Sequence, residues 1–151
     1  MSHTTPAELA HVVAALLANK IEASPIPSAL VSREFLPVYT PAKLTTCRVP
    51  VAPVQTSSLT ASRSAANRER SIQICPHLKT TPKGDTFDEL QIEQFLDFVR
   101  WIDETLESHG RIGGHTRESS QILPLYDVEA LNKDHVLKSV LTVTYRTIVR
   151  L

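Results

Sequence analysis

Cys75 and His77 stand two positions apart in RSIQICPHLK, Arg70 to Lys79. On an extended chain alternate residues share a face, so this spacing could bring a thiol to an imidazole base, the start of a nucleophilic pair. No residue nearby would orient the base, so the pair is read as non-catalytic. His109 and His115 lie six apart with glycines between them. That spacing does not place both on one helical face and leaves no rigid element to hold a metal, so they read as solvated loop histidines. The glycine cluster GRIGG, Gly110 to Gly114, lacks the Lys and Ser/Thr of a phosphate-binding loop and follows a helix rather than a strand, which makes it a bend. Cys47 and Cys75 are the two cysteines, 28 positions apart, and fit neither a zinc framework nor a disulfide scaffold. The carboxylates of Asp85 to Glu107 show no inserted apolar pocket that would split their pKa values into an acid and a base. The expectation is a protein without catalysis and without cofactor or metal, whose chemistry is that of surfaces.

The elements that carry these residues can be read in order. Thr5, Pro6 and Glu8 form a capping box with proline at the first helical position, and Leu9, Val12, Val13, Leu16 and Leu17 continue at helical spacing to about Asn19. LVSREFLPVY and TTCRVPVAPV are short extended runs, the first turned or edged by Pro37, the second broken by Pro50 and Pro53. Gln55 to Asn67 has small and hydroxyl residues without an apolar period, and residues 55–69 are expected to be a long flexible loop. Residues 70–79 alternate as a half-buried strand, with Ile72, Ile74, Pro76 and Leu78 inward and Cys75 and His77 outward. Thr86 and Glu89 make a second capping box, followed by the stripe Ile92, Phe95, Leu96, Val99, Ile102 and Leu106. A polar loop and a short helical turn lead to a closing strand from about Val136. There Leu141, Val143, Tyr145 and Val149 share one face, and Thr142, Thr144, Arg146 and Arg150 the other.

Helix, strands, long helix and strand in that order predict an α+β fold: a mostly antiparallel mixed sheet packed against one long amphipathic helix, with an N-terminal helix. A chain of 151 residues with 42% hydrophobic and 21% charged residues is expected to fold as a single domain, 1–151. No apolar run approaches the roughly 20 residues that span a bilayer, so a soluble, unprocessed chain is expected. Formal net charge is zero, but its distribution is uneven. Leu30 to Gly84 holds eight Lys or Arg and two acids, whereas Asp85 to Glu107 holds eight acids and Arg100, a contrast of +6 against −7.

The ordered combination of the first helix, REFLPVY, the basic CRVPVAPVQTSSLTASRSAANRERSIQICPHLK, the acidic DELQIEQFLDFVRWIDETLE and PLYDVEALNKDHVLKSVLTVTYR resembles the tail terminator or tail completion proteins of long-tailed bacteriophages over nearly the whole chain. The sequence departs from that pattern in its proline-rich segment Ser24 to Pro53 and in Pro76. The resemblance implies a non-enzymatic virion protein at the tail–neck junction, made in the bacterial host cytoplasm. It implies a homo-oligomer, a hexameric ring, that caps the tube, stops its growth and offers the head attachment surface. Its implied partners are the tail tube protein and a neck or head-closure protein, with viral DNA passing through unread and no membrane involved. The alternatives are a head–tail connector or head-closure subunit, and a non-phage binding domain that grips an acidic or nucleic-acid partner through a basic loop.

Head-to-tail ring closure needs two different complementary surfaces on each subunit. Glu89, Glu93 and Asp97 repeat at i,i+4, an arrangement mildly unfavourable on its own, and Glu104 and Glu107 sit at the negative end of the helix dipole. The expected interface joins Glu89, Glu93, Asp97 and Glu104 of one subunit to Arg48, Arg63, Arg68 and Arg70 of the next. A competing placement turns the carboxylates toward the channel, where they would repel DNA phosphates.

Overall fold

A computed structural model describes residues 5–35, 44–80 and 88–150. Helix α1 (Pro6–Lys20) starts as its sequence dictates: the Thr5 hydroxyl accepts from the Glu8 amide at 3.1 Å, and the Glu8 carboxylate accepts from the Thr5 amide at 3.2 Å. A 3-10 turn (Ile21–Ala23) extends it. Leu9, Val13 and Leu17 form its buried ridge, and Ala10 and Ala14 beside them allow a close approach to the sheet.

Strands β1 (Leu30–Arg33), β2 (Arg48–Ser62), β3 (Ala65–Ile74) and β4 (His77–Lys79) precede α2 (Glu89–Ser108); β5 (Arg111–Ile112), β6 (His115–Ile122), α3 (Val128–Asp134), β7 (Val136–Lys138) and β8 (Leu141–Arg150) follow. They form an eight-stranded sheet in the order β5-β6-β8-β3-β2-β4-β7, with β1 paired to β2. The β1–β2 pairing is parallel and the others are antiparallel, so the fold is α+β with a mostly antiparallel sheet. Val49, Val51, Ile72, Ile74, Leu141, Val143 and Tyr145 are fully buried on the inner face of the sheet. Phe95, Phe98, Val99, Ile102 and Leu106 of α2 and the ridge of α1 join the same core.

The N-terminal helix α1, 15 residues, is nearly as long as α2, 20 residues, so the helical layer holds two long helices rather than one long helix with a lesser N-terminal one. The cap of α2 is Asp88, whose carboxylate accepts from the Leu90 amide at 3.1 Å; Thr86 lies outside the described residues, as does Pro37.

The long loop expected at 55–69 is instead strand on both sides of a short turn, Arg63–Ser64. Backbone pairing runs from Gln55↔Ser71 to Ser62↔Ala65, and β3 in turn pairs with β8 along its length. Its signature is hidden because Gln55, Ser57, Thr56 and Ser58 are exposed on both faces of β2 there, so no apolar alternation marks the strand.

The prolines do not break β2 either. The Pro50 carbonyl accepts from the Cys75 amide at 3.1 Å, so the missing Pro50 donor faces the gap where β3 gives way to β4. Pro53 stands at a register shift between Pro53 and Gln55, a bulge that tolerates it. Pro76 interrupts the strand expected over 70–79; Cys75 and His77 are buried rather than solvated, His77 beside Arg48 and Lys138 on the face away from Leu78 and Leu137. The polar loop after α2 begins with the β5–β6 hairpin, whose turn has Gly113 and Gly114 at φ 56° and 79°, the positive values that a tight two-residue hairpin turn requires. His115, expected in solvent, opens β6 from the inner face and is buried.

Candidate functional site

Cys47, Cys75, His77 and His115 are all buried. Burial pushes the Cys75 thiol up to about 11 and the Cys47 thiol up to about 12, so neither is a thiolate at neutral pH. Burial likewise lowers His77 to about 4, against the opposing hydrogen bond of its Nδ1 to the Cys75 carbonyl at 2.6 Å. His115 is lowered by burial too, and its Nδ1 lies 3.1 Å from the Gly113 carbonyl oxygen. No group of three or more His, Cys, Asp or Glu among the described residues could hold a metal ion.

The surfaces are more informative. The inner face of the sheet is covered by α1 and α2. The outer face presents Gln55, Ser57, Asn67, Glu69, Ser71, Gln73, Thr142, Thr144, Arg146, Ile148 and Arg150. Hydroxyls meet across strands there, Ser71 with Thr144 at 3.0 Å, as expected of a half-solvated antiparallel sheet. One transverse row reads Arg111, Thr116, Arg146, Glu69 and Ser57 across β5, β6, β8, β3 and β2. Ile148 follows Arg146 on this face and is 67% exposed.

On the opposite layer Glu89, Glu93, Asp97, Arg100, Glu104 and Glu107 recur every three or four residues, which makes one exposed stripe from the first turn of α2 to its last. Arg100 bridges Asp97 at 2.9 Å and Glu104 at 4.0 Å. Glu89, Glu93 and Glu107 have no cationic partner among the described residues. The four acids expected to act together are thus on one surface.

The four arginines expected to receive them are not. Arg48 opens β2 and Arg63 lies in the turn after it; at about 3.3 Å per residue they are up to roughly 50 Å apart. Arg68 and Arg70 point to the inner face, and Arg70 is only 6% exposed. Desolvation, and then the neighbouring Arg68, lower the Arg70 pKa, while Glu8 of α1 opposes the shift. Arg70 therefore belongs to the interior under α1. Among the described residues, the exposed arginines toward the β5–β6–β8 end of the sheet are instead Arg63, Arg111, Arg146 and Arg150. Arg111 escaped sequence reasoning; the Gly-Gly pair after Ile112 was the available sign of a hairpin that puts it on the outer face.

No protein-family model matches this chain and no curated protein is significantly similar to it. Among the described residues no helix is long and apolar enough to cross a membrane.

A polar row also lies inside. Arg70, Tyr145 and Arg117 are cross-strand neighbours on the inner face, and Arg117 bridges Asp103 of α2 at 3.2 Å. The Tyr145 hydroxyl is buried with no hydrogen-bond partner among the described residues, and desolvation raises its pKa to about 12. Tyr145→Phe removes an unsatisfied polar atom at nearly constant volume, so it is expected to leave stability unchanged or raise it by about 1 kcal/mol. A loss of that size in urea unfolding would contradict this account of the row.

Proposed function

We propose that this chain is a structural subunit of a long-tailed phage, built to associate with copies of itself as a ring that caps the tail tube, stops its growth and offers a surface to the neck. The observation that carries the reading is the division of the molecule into two unlike broad surfaces on opposite layers: an open polar sheet face with arginines at one end, and a helix whose exposed stripe is acidic. A subunit in a heterologous ring needs two such surfaces, because each contact joins different patches of neighbouring copies. The ordered segments that resemble tail terminators supply the rest: the six-fold ring, the tail tube and head-closure partners, the tail–neck location and the passage of DNA without recognition. Buried, protonated thiols and neutral histidines fit a role in which binding, not turnover, is the work.

Deleting the gene from a phage that carries it tests the reading by electron microscopy of lysates. Overlong, headless tails are the expected result. Tails of normal length beside unjoined filled heads would move the subunit to the connector, and virions of ordinary form would end the proposal.

A further inference from the structure

We propose that the outer sheet face around Arg111, Ile148 and Arg150 is the docking surface for the acidic α2 stripe of a second copy of this chain. The inference rests on the self-assembling part of the reading above and deepens it by naming both halves of the contact.

The sheet half is uncovered for a structural reason. Strand β6 pairs with β8 only from Arg146 back to Leu141, so β8 runs on from Thr147 to Arg150 with β3 on one side and no described strand on the other. Where β6 and β5 begin, a groove of about 220 Å3 opens between Arg111, Thr116, Arg146, Thr147 and Ile148. Arg146 is already opposed, by Glu118 at 3.6 Å and by Glu69 across the strand pair. Arg111 and Arg150 have no acidic partner among the described residues, and Arg63 is exposed in the turn at the same end of the sheet. The groove thus sets the unpaired Arg111 guanidinium beside Arg146 and two threonines at its wall, with Arg150 further along β8, the chemistry that receives carboxylates.

The α2 half matches it. Glu89, Glu93 and Glu107 are the unpaired carboxylates of the stripe. Leu90, 74% exposed, lies beside Glu93 and Asp97 at i,i+3 and i,i+7. Each surface therefore has an exposed aliphatic side chain beside unpaired charges, and the unpaired charges of the two surfaces are opposite in sign. Like-charged faces could not pair symmetrically, so the contact is heterologous. The two halves occupy opposite layers of the molecule and cannot neutralise each other within one chain.

The test is sedimentation velocity on the full chain over a concentration and salt series, with three variants. Arg111→Glu/Arg150→Glu and Glu89→Lys/Glu93→Lys are each expected to raise the concentration for association by about a hundredfold, and combining all four changes should restore most of it, since like charges brought together repel and the swap re-pairs them. Unchanged melting of the variants by circular dichroism separates lost docking from lost folding. A parent that stays monomeric throughout, single-side variants that assemble like the parent, or a four-fold variant without rescue would each overturn the proposal. Insensitive assembly in a protein whose deletion still gives overlong tails would remove this interface and leave the tail function standing. Rescue in a protein whose deletion leaves tails normal would do the reverse.

Discussion

Phe98→Ala is expected to lower the unfolding free energy by about 3 to 5 kcal/mol, a large part of the total for a domain of this size. Phe98 is fully buried, and its ring stacks on Trp101 one turn later, with centroids 6.0 Å apart and planes 8° from parallel. Truncation removes that ring contact, its buried apolar area and its packing against the core at once, and backbone held by helix hydrogen bonds cannot collapse to fill the hole. Urea unfolding followed by Trp101 fluorescence reads the change, and Phe98→Leu should recover most of it because a branched aliphatic side chain refills much of the space. A loss below about 1 kcal/mol would mean that α2 is not seated on the sheet as described.

Acid supplies the second large effect. His77 has a folded pKa of about 4 against an ordinary 6.5, so below the ordinary value the unfolded chain binds a proton that the folded chain refuses. Its contribution to stability is whole above pH 6.5 and declines as pH falls, until the loss levels off near pH 4. The shift corresponds to roughly 3 kcal/mol across that window. His115, lowered by burial as well, acts in the same direction. His77→Gln should flatten the slope of unfolding free energy against pH between those limits, whatever it does to absolute stability. An unchanged slope would show that His77 is already solvated.

Several elements were legible because their signals are local. The Thr5–Glu8 cap and the apolar stripe of α2 are repeats within a few residues, and the alternation of β8 correctly separated Leu141, Val143, Tyr145 and Val149 from Thr142, Thr144, Arg146 and Arg150. The 55–69 strands were not legible, because hydroxyl and amide side chains on both faces erase the two-residue period while the backbone still pairs with β3 and β8. His77 and His115 look like surface residues in sequence; the Gly-Gly hairpin opens β6 with His115 on the inner face, whereas His77 keeps the face that alternation gives it and is buried there. The acidic surface could be read from helix spacing alone. The basic one could not, since it arises from the register of β5, β6 and β8, and Arg70 is withdrawn from it by α1.

The place of β8 in the sheet also governs when the protein can fold. It lies between β6 and β3, and its contact with β3 joins Ser71 to Thr144 across 73 positions. During synthesis β3 and β6 are both made first, and each waits with an open row of backbone donors and acceptors until the strand between them emerges. The β2–β3 hairpin can close early from local pairing, but the full sheet must await a long loop closure, which places this chain among domains that fold in milliseconds to seconds rather than microseconds. In that interval β3, with Ile72 and Ile74 uncovered, is a template for foreign strands. Cells that express the chain faster than β8 can be inserted should therefore accumulate it in inclusion bodies, and slower synthesis at lower temperature should recover it in solution.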